Sequence, residues 1–129
     1  MKCAKNPVKI SQAEWEIMNV LWDRAPASVN QIIDLLSGRK DWHFRTVRTL
    51  LDRLVEKRVV QIDSTRRPFL FSPSISRNDV IKAESESFMK RAFCGEPADM
   101  IVYLIKNMDL KAEDLKKLKK MVEEMEEPK

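Results

Sequence analysis

The apolar pattern of this chain changes period once, and that change constrains the fold more than any other feature. Up to Leu54 the apolar residues recur at helical spacing; after Arg58 they fall into short β-branched and aromatic runs. Ser11-Gln12-Ala13-Glu14 is a capping box, a serine with a glutamate three residues on, and Ile17, Met18, Leu21 and Trp22 follow it at helical spacing. This predicts a first helix over about residues 13–23, with Trp15 and Trp22 among its core positions. Ala25-Pro26-Ala27 stops it, because proline removes a backbone donor and disfavours helix at the preceding residue. Ser28-Val29-Asn30-Gln31 is a second capping box, and Val29, Ile32, Ile33 and Leu36 form the stripe of a shorter helix that ends before Gly38. Asp41 is placed to cap a third helix, with Val47, Leu50, Leu51 and Leu54 on one face and Arg45, Arg48, Thr49 and Asp52 on the other.

Val59 to Ile62 and Phe69 to Phe71 then read as two strands, joined by a turn whose tip is Arg66-Arg67-Pro68. Three helices followed by a hairpin are the layout of a winged helix-turn-helix, placed here at residues 8–74. With only 2 glycines in 129 residues, a glycine-rich phosphate loop is excluded, and the count argues against a β-rich fold with many tight turns. The expected class is therefore mainly α with a small β-hairpin.

Residues 75–127 have a different character. A helix from Asp79 to Phe93 presents Ile81, Phe88, Met89 and Ala92; Gly95-Glu96-Pro97 breaks it, with Pro97 suited to a first helical position. Met100, Ile101, Leu104, Ile105 and Met108 make a second stripe, and Leu115, Leu118, Val122 and Met125 a third. Three such helices cannot close a core alone, so this segment reads as a dimerisation arm. Phe88, Ile101, Leu104, Ile105, Leu115, Leu118 and Val122 are its expected contact residues, and the 7 methionines fit adaptable interface filling better than metal ligation.

Charge locates the function. Residues 1–75 hold 13 basic and 8 acidic residues, and the whole surplus of +5 lies between Arg39 and Arg67; the remainder of the chain is at −1. A polyanion is the natural partner. The major groove of duplex DNA admits one α-helix, and a reading helix needs hydrogen-bonding and cationic side chains opposite its buried face. Arg45, Thr46, Arg48 and Thr49 supply them; Asp52 and Glu56 farther along limit insertion to the first two turns, and Arg48 and Asp52 are spaced to pair. Arg66 and Arg67 place two guanidinium groups where a wing meets the sugar-phosphate backbone or the minor groove. Trp42 is either a hydrophobic staple or a backbone-contacting side chain, and His43 a surface or phosphate-proximal one. Lys116, Lys117, Lys119 and Lys120 are followed directly by Glu123 and Glu124, which fits the solvated face of a helix.

Other chemistry finds little support. His43 is the only histidine, so neither a catalytic dyad nor a multi-histidine metal site can form within one chain. Cys3 and Cys94 have no CxxC spacing and are expected as reduced thiols. No signal-peptide core follows Met1-Lys2-Cys3-Ala4-Lys5 and no apolar run is long enough to span a bilayer, so a cytoplasmic protein without membrane insertion, enzymatic activity, metal or cofactor is expected. A winged helix can also serve as a protein-interaction adaptor, or as a regulator that binds a small effector.

Ile10-Ser11-Gln12-Ala13-Glu14-Trp15-Glu16-Ile17-Met18-Asn19-Val20-Leu21-Trp22, with Asp41-Trp42 and the stretch from Arg45 to Leu54, closely resembles the penicillinase-repressor family of BlaI and MecI type. The resemblance runs from about Ile10 to Met125. It implies a homodimeric winged-helix repressor that covers palindromic operators in promoters of antibiotic-resistance or other stress-response genes. The family's recognition helix matches Arg45 to Arg53, so Thr46, Arg48 and Thr49 inherit a groove-contact role and Arg66 and Arg67 a wing role. The family also implies derepression by a membrane-bound sensor with a metalloprotease domain. Its Asn-Phe cleavage pair would fall at Tyr103-Leu104, and this sequence lacks that pair. A copper-sensing branch uses clustered C-terminal cysteines, whereas the arm here has Cys94 alone.

Overall fold

Ser11 and Ser28 open the first two helices as reciprocal caps. Each hydroxyl accepts from the backbone N–H three residues on, and the Glu14 or Gln31 side chain accepts from the serine's own N–H. The structure, a computed structural model, describes residues 9–126. Cys3, the sequence start and the outermost predicted domain positions, 8 and 127, lie outside the described residues. The elements run α1 (Gln12–Arg24), α2 (Val29–Leu36), α3 (Phe44–Glu56), β1 (Val60–Asp63), β2 (Leu70–Pro73), α4 (Arg77–Phe93), α5 (Pro97–Asn107) and α6 (Ala112–Glu126). The chain divides into two compact units, the first ending at Ser87 and the second beginning at Phe88, inside α4.

In the first unit, Ile17, Met18 and Leu21 of α1, Ile32 and Leu36 of α2, and Val47, Leu51 and Leu54 of α3 bury completely against Val59 and Phe71. The strands pair antiparallel, Val60 with Pro73 and Ile62 with Phe71. A third chain segment joins them: Ala27, in the α1–α2 link, exchanges both backbone hydrogen bonds with Phe71, at 3.0 and 2.8 Å. The bridge is one residue long, too short for any periodicity to announce it, yet it fixes the base of the hairpin against the helices.

Three local details differ from the sequence expectation. His43, not Asp41, is the N-cap of α3, and it caps without a side-chain hydrogen bond. Trp15 and Trp22 lie at the rim of the core rather than within it. Their rings are 5.7 Å apart, and the Trp22 indole N–H donates to the Ile75 carbonyl at 2.9 Å, tying α1 to the segment before α4. Val80, outside the predicted stripe, is the α4 residue buried in this core, whereas Ile81 is exposed.

Two turns of the first unit need left-handed backbone. Gly38 (φ 92°) follows Ser37 in a turn closed by Arg39 N–H to Leu36 O at 3.0 Å; glycine takes this conformation without steric cost. Arg58 (φ 68°) does the same work at the end of α3 with a side chain present. Its N–H bonds Val55 O and that of Val59 bonds Leu54 O, a Schellman closure over the buried Leu54–Val59 pair. The left-handed conformation costs a residue with a Cβ about 1–2 kcal/mol, partly offset by the larger unfolded-state entropy of glycine. Arg58→Gly is therefore expected to stabilise the fold by about 0.5–1 kcal/mol, read as a rise of a few degrees in Tm; an unchanged or lower Tm would refute the strain.

In the second unit, Pro97 sits at the first turn of α5 as predicted, after Cys94 and Gly95 reverse the chain with positive φ. Phe93 packs between Phe88 and Tyr103, with ring centroids 6.0 and 5.8 Å away. α5 and α6 bury no residue. Ile101 is 54% exposed, Leu104, Ile105, Leu115 and Val122 are exposed with it, and Leu118 is half-buried.

Candidate nucleic-acid interface

Burial of Val47, Leu50, Leu51 and Leu54 turns the opposite side of α3 to solvent, where Arg45, Thr46, Thr49 and Arg53 stand exposed. Arg53 lies in the last turn, remote in sequence from the helix's leading end. Arg48 behaves differently. Its Nε donates to Asp52 Oδ1 at 3.0 Å, and its guanidinium carbon lies 5.7 Å from the Phe69 ring centre and 5.6 Å from that of Phe71. Neither contact adds much stability, about 1 kcal/mol or less for such pairs. Their effect is orientation: a long, rotamer-rich side chain is held at the edge between α3 and the hairpin. The pairing uses Nε, so the two terminal nitrogens, the fork that suits a guanine edge, take no part in it.

The hairpin completes that edge. Asp63 accepts from the Thr65 N–H at 3.0 Å and the Thr65 hydroxyl at 2.6 Å, and these bonds, helped by the nearby Arg66 charge, hold its carboxyl below the usual carboxylate range. The turn thus ordered presents Arg66 and Arg67, both exposed. The Arg67 guanidinium carbon lies 4.9 Å over the same Phe69 ring. One aromatic side chain therefore brings together a cation from the helix and a cation from the wing, an arrangement the sequence placed only as separate features.

Between them is an open cleft of about 320 Å³, lined by Ser28, Val29 and Asn30 at the start of α2, Phe44 and Arg48 of α3, and Arg67, Pro68 and Phe69 of the wing. Asn30, Phe44 and Phe69 were not among the predicted site residues. Phe44 could not have been found from spacing, since it stands three residues before Val47 and seven before Leu51, in line with the buried stripe, and only the structure shows it exposed. Half-buried Trp42 packs against the same core as Val47, as a staple would, with Lys40 Nζ 5.9 Å from its ring centre. Exposed His43 stands beside it.

A half-buried ion pair joins the start of α1 to the end of α3. Glu14 is only 1% exposed, and Lys57, just past the end of α3, reaches it with Nζ 2.6 Å from Oε1 while also donating to the Lys9 carbonyl at 2.7 Å. Burial pushes the Glu14 carboxyl up, but the Lys57 hydrogen bond, the Ser11 N–H and the Lys57 charge together hold it below its ordinary value. Nothing in the local pattern flags this pair, whose members are 43 residues apart.

Among the described residues, no cluster of His, Cys, Asp or Glu could hold a metal ion, and no helix is long and apolar enough to cross a membrane. A three-helix unit with a wing, and cations gathered where helix and wing meet, defines a winged-helix DNA-binding protein. The comparison with known proteins makes the assignment specific: the chain belongs to the penicillinase repressor family, whose model matches residues 10–124. This is a family of transcriptional repressors, not of enzymes. Over 116 residues the chain is 32% identical to a penicillinase repressor of Bacillus licheniformis, covering 90% of this chain and 91% of that one. It is 28% identical over 114 residues to the methicillin resistance regulatory protein MecI of Staphylococcus aureus strain N315, covering 88% and 93%. Among solved structures it is similar to the DNA-binding domain of the repressor BlaI, with 33% identity, a TM-score of 0.51, and coverage of 59% of this chain and 93% of that one.

Proposed function

We propose that the protein is a homodimeric transcriptional repressor in which each protomer inserts the leading turns of α3 into the major groove of one half of a palindromic operator. The carrying observation is the convergence of Arg48 and Arg67 on Phe69, which sets a base-reading cation beside a phosphate-reading one. In this reading Arg45, Thr46, Arg48 and Thr49 face base edges and the nearest phosphates, Arg53 meets backbone at the rear of the helix, and Arg66 and Arg67 contact the strand beside the groove. Residues 8–74 form the DNA-binding part and 75–127 the dimerisation part. Support for dimerisation comes from the exposed apolar stripes of α5 and α6. The protein acts in the cytoplasm, where its DNA is.

The relatives' names, a penicillinase repressor and a methicillin resistance regulatory protein, support a promoter of antibiotic-resistance genes as target; a stress-response promoter, and a membrane sensor-protease upstream, rest on the family resemblance alone. Cleavage at Tyr103-Leu104 fits these residues less well. Both lie mid-helix in α5 and the Tyr103 ring packs on Phe93, whereas proteolysis favours exposed loop tips.

Arg48→Ala tests the base-reading role. Specific binding to a selected duplex is expected to weaken by about 1–3 kcal/mol, while binding to random duplex changes little. Wing contacts predict something else: Arg67→Ala should weaken both kinds of binding and flatten the salt dependence, whose slope is about −0.9 per neutralised phosphate. Equal loss on specific and random DNA for Arg48→Ala would remove it from the reading set.

A further inference from the structure

Phe44 is the first residue of α3 and 51% exposed, although the helix closes its core with Val47, Leu50, Leu51 and Leu54. It precedes Arg48 by four positions, so the two side chains share one edge of the helix. Both line the cleft with Asn30, Arg67 and Phe69. A phenyl ring left in water at the tip of a helix forgoes the burial that large apolar side chains normally obtain.

The surroundings identify what covers it. Arg45 is adjacent in sequence, and Arg48 and Arg67 stand along the same cleft, so the covering surface is anionic at its margin and apolar where it meets the ring. A second copy of this cationic face would be repelled. The major groove at an A·T pair has both properties: phosphates form its walls, and the thymine 5-methyl group is the apolar feature of its floor, within reach of the leading turn of an inserted helix.

We propose that Phe44 is a specificity-determining residue that packs its ring on the 5-methyl group of one thymine in each half-site, beside the base read by Arg48. The proposal rests on the DNA-binding reading above. It adds a contact that hydrogen-bond readout by arginine and threonine cannot supply, since a methyl group neither donates nor accepts.

The test uses the full chain and a duplex recovered by selection from random sequence, with each thymine replaced in turn by 2′-deoxyuridine, which lacks only the methyl group. One thymine per half-site is expected to lower affinity about fourfold when replaced, the loss corresponding to one buried carbon, and about fifteenfold when both halves are replaced. Phe44→Ala should bind the thymine duplex more weakly and be indifferent to the replacement; Phe44→Leu should retain part of the sensitivity. Because the ring is exposed, both variants should melt like the parent protein. A flat deoxyuridine scan, a selected half-site without a constrained thymine, or a Phe44→Ala protein as sensitive as the parent overturns the proposal while leaving DNA binding intact. Failure to select any sequence overturns the DNA-binding reading and this contact together.

Discussion

Replacing Lys57 by methionine is expected to destabilise the first unit by about 2–4 kcal/mol near neutral pH, which lowers Tm by about 10 °C or more for a unit of this size. Glu14 is buried and Lys57 is its only cationic partner among the described contacts, at 2.6 Å; the Lys57 side chain is itself 35% exposed, which keeps the effect below that of a fully buried pair. Methionine preserves the apolar stem of Lys57 and removes the charge, so the loss reports an uncompensated carboxylate rather than a cavity. The Glu14 carboxyl titrates below its ordinary value of 4.5 in the folded chain. A lowered folded-state pKa contributes stability above the unfolded value and loses it as pH falls through the folded value. The parent protein should therefore lose this contribution below pH 4.5, whereas the gap between parent and variant should begin to narrow at higher pH, because the unpaired buried carboxyl of the variant takes up its proton more readily. Glu14→Gln on the Lys57→Met background keeps an acceptor for the Ser11 N–H without the charge, and should recover about half of the loss. Denaturant melts of the two variants measure both effects. A double variant no more stable than Lys57→Met, or a pH-independent gap, would refute the ion pair as the cause.

Ile101→Asp is expected to separate the protomers and, with them, the two half-sites. The change falls on an exposed residue of α5, so it leaves the packing within one chain untouched and acts only where a second chain would cover it. A charge buried in an apolar seam is costly unless paired. Once the protomers part, the second half-site is no longer bound intramolecularly, and affinity for a full operator should fall by about a hundredfold or more, towards that of an isolated half-site. Sedimentation gives the oligomeric state and a titration gives the affinity. An intact dimer, or a monomer that binds the full site as tightly as the parent, would contradict the role given to the arm.

The parts legible in the sequence are those encoded locally. Both capping boxes, the span of α2, Pro97 at the start of α5 and the switch of period after Arg58 depend on residues within a turn or two of one another, and the structure has them where the pattern put them. Family membership and winged-helix class followed from the same stretches. The Ala27–Phe71 bridge and the Glu14–Lys57 pair were not legible, because each joins positions more than forty residues apart and neither leaves a periodic trace. The α3 cap went to His43 rather than Asp41 because capping requires a particular backbone placement as well as a suitable side chain. For the candidate interface, sequence supplied the cations but not their arrangement. Arg48 reads as an outward-facing residue on a helical wheel, whereas contact with Phe69 and Phe71 turns it toward the wing.

Selection of bound fragments from random duplex DNA by the full chain, followed by sedimentation of the complex, shows whether two chains share one operator. An inverted repeat bound by two chains is expected, with half-sites centred one or two helical turns apart, about 34–36 Å per turn. Recovery of no preferred sequence, or of a lone half-site bound by a single chain, would contradict it.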